Sequence, residues 1–305
     1  MFAILQREWQ KTYKRDSAFV MLRQKWQTYK RDPKSLFLLF AVYLAAMITM
    51  LALLFIIAYI LIKGIPYLTP ELFSLKYTSE NVSLLPALIN TLFMTILALL
   101  FAVPVGIGAA IYLTEYARRG NKLVDFVGIT AETLSGIPSI IYGLFGSLFF
   151  VKYLDFGLSL LSGALTLSIM ILPLVMRTTE EALRSVPDSY REGSFGLGAG
   201  KLRTVFRIVL PSAVPGILSG VILGIGRIVG ESAALIFTAG TVAEVAQGLF
   251  SSVRTLSVHM YSISGEGLYI NQTYATAVVL LVVVVAINAL SGFVANKLGG
   301  KKSNG

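Results

Sequence analysis

Six long apolar stretches constrain this chain more than any other feature of its sequence. A bilayer core takes about 20 apolar residues of helix, because inside lipid only the helix itself can satisfy the backbone N–H and C=O groups. Five of the stretches carry no charge, and the other carries one arginine and one glutamate. They cover residues 36–62, 84–114, 133–151, 156–176, 208–239 and 274–295. The sequence therefore predicts an all-α, polytopic membrane protein with six transmembrane helices.

The composition supports a membrane protein. Charged residues make up 14% of the chain, against about 25% in an average soluble domain, which leaves too little polar surface for a water-soluble fold. Cysteine is absent, which excludes disulfides and thiolate metal sites. The single histidine, His259, cannot form a histidine metal cluster alone, and we expect it in a loop. We predict no metal site.

The basic residues predict the orientation, because Lys and Arg accumulate in cytosolic loops. With the N-terminus in the cytosol, 21 of the 26 Lys+Arg fall on the cytosolic side and Arg227 falls within a span. The four on the outer side are Lys63, Lys76, Lys152 and Arg254. We therefore expect both termini in the cytosol. The net charge of +10 is explained by this orientation, and nucleic acid need not be invoked.

Three regions follow from these patterns. Residues 1–35 are predicted to form a basic cytosolic arm near anionic lipid, residues 36–297 the six-helix domain, and residues 298–305 a short basic tail. The long outer loop 241–273 is amphipathic around residues 245–258. It either meets a partner on the outer face or is a plain connector, and the sequence does not decide between these.

Charge inside the fifth stretch is unusual. Arg227 and Glu231 stand four residues apart, which in a helix puts them on one face. A charge at the bilayer centre costs on the order of 3 kcal/mol on insertion scales, so we expect the pair to face a polar interior. A structural ion pair that locks the bundle is the alternative. Arg177, at the end of the fourth stretch, is either a snorkelling interface residue or an oxyanion ligand, since the planar guanidinium donates paired hydrogen bonds.

Glycines in the second half of the chain have two possible uses. Small residues four apart predict close helix packing, and this spacing occurs in Gly216, Gly220 and Gly224, and in Gly226 and Gly230. The glycine-rich run 196–201 resembles a phosphate-binding loop, but Phe195 and Leu202 stand where a Walker A motif requires Gly and Ser or Thr. We therefore expect the chain to bind no nucleotide and no other cofactor.

The polar segment at about 178–211 carries a fixed spacing pattern. It reads Glu192-Gly-Ser-Phe-Gly-Leu-Gly198, followed after nine residues by Ile208-Val-Leu-Pro211. This pattern resembles the EAA loop of ABC-importer permeases, which reads Glu-Ala-Ala, three residues, Gly, nine residues, Ile-x-Leu-Pro. Gly193 and Ser194 stand in the place of the two alanines.

The resemblance implies a short coupling helix that sits in a groove of an ATPase subunit, with Glu192 facing that subunit. We expect Gly198 to end the helix in a left-handed conformation. The residues assigned to coupling are Glu192, Gly193, Ser194, Gly198, Ile208, Leu210 and Pro211. Nearby basic residues are expected to form the charged rim of the interface; these are Arg191, Lys201, Arg203 and Arg207.

Most of the chain from the second stretch onward resembles the PstA-type permeases of phosphate ABC importers. The stretches that carry the resemblance are AETLSGIPSIIYGLFG at 131–146, EEALRSVPDSYREGSFGLGA at 180–199 and GRIVGESAALIFTAG at 226–240. It implies the fold of a type I ABC importer permease in a prokaryotic cell membrane. It also implies that Arg177 and Arg227 take part in phosphate passage, with Glu231 as the nearby acid.

The implied function is the membrane subunit of an ATP-driven importer of inorganic phosphate. The implied partners are a homologous PstC-type permease, two PstB-type ATPase subunits that bind ATP and Mg²⁺, and a PstS-type extracytoplasmic phosphate-binding protein. The chain itself is then not an enzyme. Two alternatives share the coupling loop: a permease for another oxyanion such as phosphonate or sulfate, and the PstC-type partner itself.

Readings from other classes are weaker. A membrane-embedded enzyme needs clustered His, Cys or acidic residues within the spans, and only Glu132 and Glu231 are available. A passive channel would have no use for the coupling loop.

Overall fold

The computed structural model describes residues 33–299 except 119 and 121. The predicted basic arm therefore lies outside the described residues except for 33–35, and the predicted tail lies outside them except for 298 and 299. Within the described residues the chain is helical and contains no strand, which confirms the all-α prediction. Contacts divide it into two compact units, residues 1–59 and residues 60–305. Of the described residues, the first unit holds most of one apolar helix, and the second holds the end of that helix and all the other elements.

The helices are named here in chain order. A short 3₁₀ turn is present at Ile65–Tyr67 and another at Pro70–Phe73. Three helices contain π-helical segments, which lie at Tyr112–Tyr116, Ser147–Tyr153 and Val205–Val209. The α-helices are α1 (Pro33–Gly64), α2 (Leu85–Ile111), α3 (Lys122–Ser135), α4 (Ser139–Gly146), α5 (Leu160–Arg184), α6 (Asp188–Gly196), α7 (Lys201–Thr204), α8 (Leu210–Gly230), α9 (Ala233–Thr238), α10 (Leu256–Glu266) and α11 (Ile270–Gly299).

Five helical segments are long and apolar enough to cross a membrane, and a bent pair makes a sixth if its halves form one span. The five segments are Phe37–Tyr67, Leu85–Tyr116, Leu160–Arg184, Lys201–Gly230 and Ile270–Leu290. The bent pair is Phe126–Ser135 with Ser139–Tyr153, at an angle of 103°.

The third predicted span, residues 133–151, lies in this bent pair and is not one continuous helix. The helix is interrupted between Ser135 and Ser139, at Gly136-Ile137-Pro138. Pro138 has an extended ψ of 138°, has no N–H to donate, and disfavours helical geometry in the residue before it. The result is two short helices at a steep angle.

Helix α5 forms the centre of the bundle. In its most apolar stretch of 18 residues, 67% is buried. The corresponding stretches of Leu85–Tyr116 and Lys201–Gly230 are 28% buried. It packs against α2 on one side and α8 on another, and α8 packs in turn against α11. The main core cluster joins side chains of α2, α5 and α9, including Met94, Leu167, Met170 and Leu235.

Two of the predicted glycine contacts hold α5 and α8 together. A Cβ built on Gly216 would lie 2.6 Å from Ala182 Cβ, and one built on Gly220 would overlap the side chain of Thr178. Gly224 is looser, with its nearest atom at 3.8 Å. Gly226 and Gly230 make no close contact within this chain: a Cβ on Gly226 would lie 3.9 Å from Asn288 Oδ1, and one on Gly230, at the end of α8, would meet no atom within 4 Å.

The segment 241–255, part of the predicted outer loop, is folded against the bundle. Asn90 on α2 holds it: the side-chain amide donates to the carbonyls of Glu244 and Arg254, and the side-chain oxygen accepts from the Ala246 N–H at 2.9 Å. His259 follows in α10 and is fully buried, so its predicted place in a loop is wrong.

Candidate functional site

Helix α6 is the predicted coupling helix, and its ends follow from local sequence. Pro187, with φ of −57° and ψ of 139°, stands before its first residue, and Asp188 puts a carboxylate near the positive end of the helix dipole. At the other end Gly198 has φ of +81°, a conformation that costs other residues free energy. The N–H of Gly198 then donates to the Phe195 carbonyl at 2.9 Å, and that of Ala199 to the Ser194 carbonyl at 3.1 Å. The predicted role of Gly198 as the helix end is confirmed.

The three residues at the Glu-Ala-Ala positions, Glu192, Gly193 and Ser194, differ in their exposure. Glu192 and Gly193 are exposed, and a Cβ on Gly193 would meet no atom within 4 Å. Ser194 is buried, and its Oγ lies 2.8 Å from Thr204 Oγ1 on α7. Ser194 therefore fixes α6 to the start of the next span, whereas Glu192 and Gly193 remain available for a partner.

The coupling end also exposes large apolar side chains that the sequence reasoning missed. They are Tyr190, Phe195, Leu197, Leu202 and Phe206, of which Leu197 at the tip is 92% exposed. A groove of about 720 Å³ runs beside them, lined by Leu202, Arg203, Phe206, Arg207 and Ile208. Large exposed apolar patches mark sites of interaction with other proteins or with the membrane. In the sequence, these side chains are visible as large apolar residues within the otherwise polar segment 178–211.

The basic residues of this region do not all form a rim. Arg203 and Arg207 are exposed, as expected. Arg191 instead turns inward and pairs with Glu115 at 2.7 Å, with side chains only 15% and 8% exposed. Hydrogen bonds to Glu115 raise the pKa of Arg191 above its ordinary value, so its guanidinium stays charged. Lys201 lies 5.2 Å from the centre of the Tyr116 ring.

The Ile-x-Leu-Pro element lies where α7 passes into α8. Ile208 is in the π-helical segment Val205–Val209, and Leu210 and Pro211 are the first residues of α8. A proline inside a helix lacks the N–H and crowds the carbonyl four residues earlier. The wider π-helical turn just before Pro211 accommodates that loss, so the helix from Lys201 to Gly230 continues without a break.

Arg177 has an acidic partner that the sequence did not predict. Its Nη1 lies 3.7 Å from Oε1 of Glu132 on α3, and both side chains are partly exposed, at 44% and 69%. The pair is open to water or to a partner subunit. Because a long and exposed ion pair is weak, an anion can compete with Glu132 for the guanidinium.

Arg227 and Glu231 do not share one helix face, and this prediction is wrong. Helix α8 ends at Gly230, and Glu231 is extended, with φ of −75° and ψ of 129°. Its carboxylate accepts a hydrogen bond from the Ala234 N–H at 3.0 Å and caps α9, and its carbonyl accepts one from Ser257 Oγ. None of the ion pairs among the described residues involves Arg227. Its guanidinium is near enough to Tyr142 for an electrostatic interaction.

The two arginines lie at different depths of the bundle. Gly220 on α8 meets Thr178 on α5, next to Arg177, so these residues share a level. Arg227 stands seven residues further along α8, which is about 10 Å at 1.5 Å per residue. The structure therefore does not bring Arg177 and Arg227 to a single point, and it spaces them along the α5–α8 contact. Among the described residues, no group of three or more His, Cys, Asp or Glu side chains could hold a metal ion.

Comparison with known proteins gives a consistent result. The family model described as "Binding-protein-dependent transport system inner membrane component" matches residues 102–300. The phosphate transport system permease protein PstA 1 of Mycobacterium tuberculosis is 37% identical over 218 residues, which is 69% of this chain and 71% of that protein. The phosphate transport system permease protein PstC of Mesorhizobium japonicum is 30% identical over 266 residues, which is 78% of this chain and 80% of that protein.

Solved structures show the same architecture. The crystal structure of a bacterial alginate ABC transporter in complex with an alginate pentasaccharide-bound periplasmic protein contains a chain that aligns with a TM-score of 0.66. The alignment covers 90% of this chain and 98% of that one, at 18% sequence identity. Such a likeness bears on the fold alone, and it agrees with the predicted fold of an ABC importer permease.

Proposed function

This chain belongs to the family of binding-protein-dependent transport system inner membrane components, and on that basis we propose that it is the PstA-type membrane subunit of an ATP-driven phosphate importer. The observation that carries the coupling part of this proposal is α6. It is a short helix at one end of the bundle with Glu192, Gly193 and large apolar side chains exposed around it. The relatives of this chain named as phosphate transport system permease proteins PstA and PstC support phosphate as the substrate.

The length of α2 supports the proposal that segment 241–255 and the coupling helix α6 lie on opposite sides of the membrane. Asn90, which holds the segment 241–255, and Glu115, which pairs with α6, are 25 residues apart on this helix and its π-helical extension. At 1.5 Å per residue they are about 38 Å apart, more than the roughly 30 Å thickness of a bilayer core. The coupling end, with its excess of Lys and Arg, lies in the cytosol by the positive-inside rule. Both termini are then cytosolic, in the inner membrane of a prokaryote.

Partners complete the transporter in this proposal. A PstC-type permease pairs with this chain in the membrane, and two PstB-type ATPase subunits bind ATP and Mg²⁺ and carry out the hydrolysis. One ATPase docks on the α6 surface, where Glu192 and the exposed Phe195 and Leu197 meet it. A PstS-type binding protein delivers phosphate on the outer side. This chain holds no cofactor of its own.

Phosphate passage is assigned to Arg177, Arg227 and Glu231. Each guanidinium can donate two parallel hydrogen bonds to a phosphate dianion. Arg227 has no acidic partner among the described residues, so it offers an uncompensated positive charge, whereas Arg177 must first release Glu132. Glu231 supports Arg227 indirectly. Its carboxylate accepts a hydrogen bond from the Ala234 N–H and so fixes the turn between the end of α8 and α9. Two weak sites at different depths favour transfer over tight retention.

The test is phosphate uptake by the assembled complex in proteoliposomes. Wild type with the binding protein and ATP should accumulate labelled phosphate, and Arg227→Gln and Arg177→Gln should each reduce the rate while the ATPase still co-purifies. Arg184→Gln is the matched control, because Arg184 is an exposed arginine of α5 whose carboxylate partner, Glu180, lies in the same helix.

Two outcomes would contradict the proposal. Uptake of sulfate or a phosphonate in preference to phosphate would assign another oxyanion to this permease. Normal uptake by both the Arg177 and the Arg227 variants would remove these residues from the path.

A further inference from the structure

An ion pair joins the coupling helix to a helix that is remote from it in sequence. Arg191 on α6 lies against Glu115 in the π-helical segment that ends α2. Its Nη2 is 2.7 Å from Glu115 Oε1, and its Nε is 3.2 Å and 3.4 Å from the two carboxylate oxygens. Both side chains are largely buried, at 15% and 8% exposure. Two N–H groups on one edge of the guanidinium therefore converge on the Glu115 carboxylate, mainly on Oε1, and charge-assisted hydrogen bonds of this kind are stronger than neutral ones.

The remaining N–H groups of Arg191 bind the turn between α5 and α6. Nη2 also donates to the Leu183 carbonyl at 3.0 Å, and Nη1 donates to the Val186 carbonyl at 2.8 Å and to Asp188 Oδ1 at 3.2 Å. A guanidinium has five N–H donors, and this arrangement gives each of them an acceptor. A lysine at this position keeps the charge, but its compact ammonium cannot reach the same set of acceptors.

The pair gives α6 a connection that the chain does not otherwise provide. Helix α6 follows α5 directly and leads into α7 and α8, and Ser194 adds a side-chain bond to Thr204. Helix α2 has no such continuity, because Glu115 precedes Arg191 by 76 residues. Among the described residues, the hydrogen bonds between α6 and the end of α2 are those of Arg191.

Nearby contacts of α2 are of a different kind. Ile107 and Ile111 pack into an apolar cluster with Leu183, Val205 and Val209. Apolar packing is non-directional, so it keeps the helices together without fixing how α6 is turned relative to α2. A five-donor guanidinium between two elements does fix that orientation.

We propose that the Arg191–Glu115 pair transmits the displacement of the coupling helix to α2, so that Arg191 is a positioning residue for energy coupling and not part of the ATPase-docking surface. This rests on the proposed function only in that α6 is taken to be moved by an ATPase. When α6 shifts, the cytosolic end of α2 moves with it as one body. Without the pair, α6 still binds the ATPase through its exposed face, but the orientation of α6 relative to the end of α2 is no longer fixed.

The first test compares Arg191→Lys and Glu115→Gln in the reconstituted complex. Both variants should retain the ATPase on purification and hydrolyse ATP, while phosphate transported per ATP falls by about tenfold, within the usual range of coupling between two sites. Arg184→Lys, the same substitution in an ion pair confined to α5, should leave the ratio unchanged.

A distance measurement tests the movement without any reference to the transported ion. Because the chain has no cysteine, spin labels can be placed at Ser189→Cys on α6 and at Tyr112→Cys in the π-helical segment that follows α2, both of which are exposed. The distance between the labels should be the same in the ATP-free and ATP-trapped complexes of the otherwise unchanged protein. It should change or broaden on trapping when Arg191→Lys is added.

Three results would overturn the inference. The first is a label distance that already changes in the complex with Arg191 intact. The second is an unchanged transport-to-ATP ratio in Arg191→Lys. The third is a loss of ATPase retention in proportion to the loss of transport, which would make the pair part of docking or of folding. A wild-type complex that transports no phosphate but keeps the label distance would refute the proposed function alone.

Discussion

Exchanging two residues where α5 and α8 touch tests how closely these helices pack at the coupling end. A Cβ on Gly216 would lie 2.6 Å from Ala182 Cβ and 3.4 Å from Ala182 Cα. Carbon atoms in contact prefer about 3.5–4.0 Å, so the methyl of Gly216→Ala lacks about 1 Å of room. The nearest atom is a Cβ fixed to the backbone, so a helix has to shift. We expect Gly216→Ala to cost about 1–3 kcal/mol of stability, the usual range for overpacking.

Removing the opposing methyl should reverse this effect. Ala182→Gly alone costs about 1 kcal/mol in helix propensity and leaves a small gap. In the double variant Gly216→Ala with Ala182→Gly, the methyl is moved from one helix to the other and the two propensity changes cancel. We expect its stability to be within about 1 kcal/mol of wild type, because substitutions in contact are not additive.

Thermal unfolding of the complex in detergent measures these differences. A change of 1 kcal/mol shifts Tm by about 2–4 °C in a domain of 150–250 residues, so the Gly216→Ala variant should melt several degrees earlier than the double variant. Gly230→Ala is the control, because a Cβ there would meet no atom within 4 Å. Equal melting temperatures for Gly216→Ala and Gly230→Ala would refute the close contact, as would a double variant less stable than both single variants.

Three further predictions concern other parts of the chain. Gly198→Ala should weaken ATPase retention by about 1–2 kcal/mol because φ there is +81°, whereas Gly200→Ala, at φ of −72°, should not; equal retention would contradict this. Asn90→Ala removes three hydrogen bonds to segment 241–255 and should cost about 1–3 kcal/mol, with faster proteolysis of that segment as the measurement. Burial, with a smaller effect of the Arg254 charge, lowers the pKa of His259 from 6.5 to about 3, so the unfolded chain binds a proton that the folded chain does not. Stability should therefore fall below pH 6.5, by about 2 kcal/mol at pH 5, and His259→Gln should melt with a smaller pH dependence.

The sequence predicted well those features that depend on residues close together in the chain. Apolar stretches predicted most of the spans, because the need to satisfy backbone groups in lipid acts on each segment separately. The end of α6 at Gly198 followed from the one residue type that accepts a left-handed conformation at low cost. The break at Pro138 also has a local cause, the Gly-Ile-Pro sequence, but the uncharged apolar stretch around it predicts a single span.

Features that depend on distant residues were not predictable. The sequence predicts a charged rim for Arg191, because no local pattern links it to its partner Glu115, which lies 76 residues away. The prediction that Glu231 shares a face with Arg227 requires the helix to continue. The Glu231 carboxylate instead caps α9, a role that depends on where the chain turns. Ser194 and Thr204, only ten residues apart, show that even a short loop hides which side chains turn inward.

The close contacts of α5 with α8 suggest which arginine responds to the coupling helix. Gly220 meets Thr178 at the level of Arg177, so a tilt between the two helices pivots near that residue and moves it little. Arg227 stands about 10 Å beyond the pivot at 1.5 Å per residue, so a tilt of about 10° would carry it sideways by about 2 Å. That distance is enough to make or break a hydrogen bond, which must be near 2.9 Å. Under the function proposed above, Arg227 is then the residue whose affinity for phosphate changes during the cycle, and Arg177 the residue whose affinity is set by Glu132.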